Sequence, residues 1–177
     1  MRPTPAIALS FLASIACGCG GDSVTEIFVC YSVDPALSMP DGSLRVCATA
    51  DPDGRVLFGC DGSEIGRLDA PLETQGFVRR RAEGIEVELS AEIPSMGTIA
   101  QRAHVPFQAG RIVDLSLQID PRCASVPCPA GQTCAAGACY GEDVDPACLT
   151  DHGSPARPGC TDPRVIPGCR AASRDGG

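Results

Sequence analysis

From Val24 to Asp120 apolar and polar residues alternate with period two in segment after segment, the pattern of strands with one dry and one wet face. In Thr25 to Val33 the odd positions Ile27, Val29, Tyr31 and Val33 form an apolar face, and in Leu44 to Ala50 the even positions Leu44, Val46, Ala48 and Ala50 do. Ile85 to Ile93 sets Ile85, Val87, Leu89, Ala91 and Ile93 against Glu86, Glu88, Ser90 and Glu92. Ile99 to Phe107 and Val113 to Ile119 repeat the alternation, Arg55 to Cys60 is a shorter strand, and Phe77 and Val78 mark a seventh. Turn formers fall between them at Pro40-Asp41-Gly42, Asp51-Pro52-Asp53-Gly54, Asp61-Gly62, Glu83-Gly84, Pro94 to Gly97 and Ala109-Gly110. About six or seven such strands without an amphipathic helix predict an all-β fold, an immunoglobulin-like antiparallel β-sandwich over residues 24–120, with a small barrel as the alternative.

The alternation stops at both ends. Arg2, the apolar run Ala6 to Ala16 and then Cys17 have the order of an export leader, too short to span a bilayer as a helix. The expectation is a lipoprotein-type signal peptide over 1–16, lipid on Cys17 and a tether over 17–23. Ala16-Cys17-Gly18-Cys19 offers Cys19 as a second anchor, and cleavage after Ala16 with nothing attached is the plainer reading.

Beyond Ile119 the chain turns to Cys, Pro and Gly, with Cys123, Cys128, Cys134 and Cys139 spaced C-x4-C-x5-C-x4-C. So few large apolar residues cannot build a core, so residues 121–140 are expected to be a disulfide-stapled knot. Four cysteines allow three connectivities. The interlaced one, Cys123 with Cys134 and Cys128 with Cys139, would close loops worth about 3 kcal/mol each. Residues 141–177 hold Cys148, Cys160 and Cys169 amid Pro, Gly, Asp and Arg, and read as an irregular, largely disordered tail.

Twelve cysteines in an exported chain indicate disulfides, whereas the same number in the cytosol would suggest metal binding. Cys30 and Cys47 both fall opposite the apolar face, so a bond between them requires neighbouring strands. Cys60 falls on the apolar side, to pair with a tail cysteine or pack as a buried thiol. A net charge of −8 argues against nucleic acid, whose phosphates need a basic surface.

Little else suggests chemistry. His104 and His152 lack Cys or His neighbours at metal-ligand spacing. Glu86, Glu88 and Glu92 would line one strand face, as glycosidases or calcium sites require, but read as a solvated face. Asp51, Asp53 and Asp61 lie near hairpin ends, where Asp-Pro-Asp-Gly is a turn. Arg79-Arg80-Arg81 is the one basic cluster; it suits lipid phosphates or anionic glycans, although ion pairs with Glu83, Glu86 and Glu88 are the simpler expectation. No catalytic, metal or cofactor residue and no small-molecule substrate is expected. A hydrolase would need a base such as His104 hydrogen-bonded to a serine in one cleft.

Thr25-Glu26-Ile27-Phe28-Val29, the pair Val105 to Arg111 and Leu115-Ser116-Leu117, and the block Cys123 to Cys139 together resemble the predicted envelope lipoproteins of the myxobacterial type, through Asp145-Pro146. Cys30, Cys47, Cys60 and the long tail depart from that pattern. The resemblance implies place and build rather than a reaction. The chain is therefore expected to be a non-catalytic envelope lipoprotein, exported to the periplasm or outer surface, anchored to the membrane and in contact with envelope protein or glycan. A secreted soluble adhesive or inhibitory module is the alternative.

Overall fold

The computed structural model describes residues 24–37, 42–62, 66–67, 74–155 and 157–165. The leader, Cys17, Cys19 and Cys169 lie outside the described residues. The fold is all-β: two facing sheets enclose one apolar core. The strands are β1 (Glu26–Val33), β2 (Ser43–Asp51), β3 (Arg55–Phe58), β4 (Gly66–Arg67), β5 (Thr74–Val78), β6 (Gly84–Ile93), β7 (Gly97–Pro106), β8 (Ile112–Ile119), β9 (Gln132–Ala135), β10 (Ala138–Gly141) and β11 (Thr150–Asp151). One sheet runs β11-β8-β1-β5, and the other β3-β2-β6-β7 with β4 on β2. Every pair is antiparallel except β1 and β8, which run parallel from Glu26↔Ile112 to Val33↔Ile119. Among the described residues no helix is long and apolar enough to cross a membrane.

The alternation fixes the register, because a slip of one residue would turn each apolar row outward. Ile85, Val87, Leu89, Ala91 and Ile93 of β6 all point into the core, facing Ile27, Val29, Val113, Leu115, Leu117 and Ile119 of the opposite sheet.

Two expectations about cysteines are corrected. β1 and β2 belong to different sheets, so Cys30 does not reach Cys47; Cys47 instead bonds Cys60. The alternation misplaces Cys60 because β3 ends at Phe58 and Gly59 adopts φ +62°, which reverses the parity. A side chain at Gly59 would lie 2.2 Å from the Val46 carbonyl oxygen, so only glycine allows this return. Cys30 is itself disulfide-bonded, with its Sγ 3.7 Å from Thr74 Oγ1.

The disordered-tail expectation is also corrected as far as Val165. Val144, Leu149 and Val165 join the core, β11 pairs with β8, and Cys148 bonds Cys160. In the cysteine-rich segment Cys123 bonds Cys134 and Cys128 bonds Cys139, around the hairpin β9–β10. Ala136 (φ 52°) and Gly137 (φ 81°) form its two-residue turn, both in the left-handed region that such hairpins use.

Candidate functional site

Strand β7 would be an exposed sheet edge, with open amides and carbonyls, if the chain ended at Ile119. Residues 121–165 cover it. The Arg102 amide donates to Thr133 Oγ1 (2.8 Å), and the Arg102 carbonyl accepts from the Arg164 guanidinium (3.0 Å). Two residues on, the His104 amide donates to the Glu142 carbonyl (2.8 Å) and the Val144 amide to the His104 carbonyl (3.0 Å). The edge of β8 is capped similarly by β11 and by the His152 amide, which donates to the Ile112 carbonyl (2.8 Å).

Two buried polar side chains hold this arrangement. Gln101 occupies a core-facing position of β7; its Oε1 accepts from the Gln118 amide of β8 (2.7 Å) and its Nε2 donates to the Cys134 carbonyl of β9 (3.4 Å). It thus joins both sheets and the cysteine hairpin. Arg164, 1% exposed, donates to both oxygens of Asp162 and to the carbonyls of Gly141, Glu142 and Arg102. The extension leaves β8 through Asp120, whose side chain caps the 3-10 turn Pro121–Cys123. Hydrogen bonds from Arg122 hold the Asp120 carboxyl below its ordinary range despite burial.

Above this seam lies a cleft of about 280 Å³ on the polar face of β6 and β7, bordered by Thr49, Glu86, Glu88, Arg102, His104 and Glu142. Arg102 bonds Glu88 across the ladder (2.5 Å) and lies 3.9 Å from Glu142, and the Glu88 hydrogen bond raises its pKa. His104 sits between two carboxylates, with Nδ1 2.7 Å from Asp143 and Nε2 3.2 Å from Asp51. Partial burial opposes the imidazolium, but hydrogen bonding to Asp143 and Asp51 and the charges of both outweigh it, so the pKa is raised. Gly84 lies against the same strand, where a side chain would come within 2.7 Å of the Val105 carbonyl oxygen and 3.3 Å of His104 Nε2. The second histidine, His152, bonds the buried Asp114 through Nδ1 (2.6 Å) and stacks on Phe28 with ring centroids 4.6 Å apart.

The residues weighed from sequence are therefore only partly brought together. Glu86 and Glu88 border the cleft, whereas Glu92 accepts from Thr98 at the far end of the ladder. Asp51 joins His104, while Asp53 accepts from the Arg55 amide within its turn. Among the described residues no group of three or more His, Cys, Asp or Glu is arranged to hold a metal ion. The hydrogen bonds of both histidine rings go to carboxylates, which suits cross-linking of elements. Ion pairing of Arg79, Arg80 and Arg81 with nearby glutamates is corrected: Glu88 pairs with Arg102, and none of the three arginines pairs with a described residue. Sequence reasoning missed Gln101 and Arg164; the one signal was a glutamine at an inward position of an alternating strand. No family model, curated protein or solved structure matches this chain.

Proposed function

We propose that the protein is a non-catalytic cell-envelope lipoprotein, exported and held at a membrane by lipid on Cys17 or Cys19, with a structural or binding role toward envelope protein or glycan. The observation that carries this reading is the oxidation of all nine cysteines among the described residues, eight of them bonded to one another. Such a framework persists in an oxidising compartment and is rare in the cytosol. The order Arg2, Ala6 to Ala16, Cys17 supplies the route out and a thiol for acylation. One acyl chain binds a bilayer only marginally, so the mature lipid carries several or is helped by a second contact.

Metabolic labelling with a fatty acid tests the proposal. Label is expected on the wild-type chain and on whichever of the Cys17→Ala and Cys19→Ala variants keeps the anchor, and is lost in the double variant. Label surviving the double substitution would remove the anchor from Cys17 and Cys19, and an unlabelled mature chain found wholly in the medium would replace this reading with the secreted adhesive or inhibitory module.

A further inference from the structure

The extension docks on the β7 and β8 edges, which leaves the opposite side of the sandwich to the strands at the other end of each sheet. There β3 and β5, the outer strands of the two sheets, border a groove of about 390 Å³ lined by Val56, Leu57, Phe77, Val78, Arg80 and Phe107. Four large apolar side chains stand well exposed among the described residues, and three gather here: Val56 (59%) and Val78 (56%) on the groove, and Val24 (54%) beside it. Val24 is placed by its neighbour Thr25, whose carbonyl accepts the Arg79 amide at 2.9 Å. Arg79, Arg80 and Arg81 are all exposed and pair with no described acid, in a chain of net charge −8. Glu26 and Glu83 are the nearest acids in register and sequence, and neither bonds an arginine of the run.

We propose that Val24, Val56, Val78 and Arg79–Arg81 form a membrane-apposed face that rests on the anionic phospholipid headgroups of the bilayer carrying the anchor. The proposal rests on the lipoprotein reading, and the point of attachment is its main argument. The chain enters the sandwich at Val24, seven residues after Cys17 and one residue from the carbonyl that holds Arg79, so a lipid-bearing N-terminus brings this end of the molecule to the surface. Unpaired guanidiniums are then available for phosphate oxygens, which they bind bidentately. The valines meet the headgroup boundary instead of water. Acidic residues elsewhere on the body are repelled by an anionic bilayer, which favours the orientation with the arginine run inward. The same contact supplies the second signal that stable anchoring requires.

Arginine footprinting tests this on the mature full chain reconstituted into vesicles of neutral phosphatidylcholine, with or without phosphatidylglycerol. Phenylglyoxal labelling, read by peptide mass spectrometry, is expected to fall about fivefold or more at Arg79–Arg81 on the anionic vesicles, the size of effect one surface arginine has on membrane partition. Exposed Arg157, on the extension, is expected to label equally on both. Added salt restores labelling of the run, and Arg55, which also lines the groove, is expected to be protected by anionic vesicles in the wild type but not in an Arg79→Gln, Arg80→Gln, Arg81→Gln variant. Equal labelling of the run on neutral and anionic vesicles overturns the proposal, as does protection by soluble polyglutamate with none by vesicles, which would assign the face to an acidic protein. The same peptide map reports the N-terminal peptide. An unacylated chain there refutes the anchor, whereas an acylated chain with unprotected arginines refutes this face alone.

Discussion

Arg164 is a cation almost completely removed from water, and every donor direction it uses ends on an oxygen. The Asp162 carboxylate balances the charge, and three main-chain carbonyls take the remaining N–H groups. Removing one member of such a buried pair costs about 3–5 kcal/mol, because its partner is left desolvated without a counter-charge. Arg164→Met is therefore expected to lower unfolding stability by that amount, measured by denaturant titration under non-reducing conditions. Arg164→Lys is expected to recover little, since one ammonium cannot span the fork of Asp162 together with carbonyls on Gly141, Glu142 and Arg102. Full recovery by lysine would mean that charge alone holds the extension, not the geometry of the guanidinium.

Gln101 does for strands what Arg164 does for loops. It reaches from β7 to the backbone of β8 and β9, and so closes the seam where the two sheets meet the cysteine hairpin. Gln101→Met keeps the side-chain volume and deletes both hydrogen bonds, leaving the part-buried Gln118 amide and the buried Cys134 carbonyl without them; a loss of about 1–3 kcal/mol is expected. Hydrogen exchange localises the effect, with faster exchange at the Gln118 amide and unchanged exchange in the β2–β6 ladder. The strands themselves were legible because one face of each is buried and the other wet, so period two names both the element and its face, as in β6 and β8. What the pattern could not carry was parity past a left-handed residue, which misplaced Cys60 after Gly59. Nor could composition reveal that the sparse Val144, Leu149 and Val165 complete a core begun elsewhere, because long-range docking leaves no local period. The cleft was half legible: Glu86 and Glu88 are visible as neighbours on a polar face, whereas Glu142 and Asp143 reach them only through the fold.

At the scale of the whole molecule one side of the sandwich is sealed by the described residues of 121–165, while on the other β3 and β5 border a groove. The seal includes a titratable element, since His104 of β7 lies between Asp51 at the end of β2 and Asp143 of the extension. Around it stand Glu86, its cross-strand partner on β6, Glu142 of the extension, and Arg102 two residues back on β7. Its folded pKa is raised above the ordinary histidine value of about 6.5, so the native state holds the proton more tightly than the unfolded chain does. The resulting stabilisation is complete below that unfolded value and fades as pH rises through the raised folded one. The group is partly exposed and Asp143 almost fully so, hence solvent screening keeps the effect small. Wild-type melting temperature is expected to fall between about pH 6 and pH 8 more steeply than that of His104→Gln. His152 is present in both proteins, so whatever it contributes cancels in the difference. Parallel curves for the two proteins would show that backbone bonds and disulfides hold the extension without help from the histidine charge. A steeper wild-type curve would make the docking of the cysteine-rich segment firmer in acid than in base, an asymmetry that the bridges alone cannot produce because disulfide cysteines do not titrate.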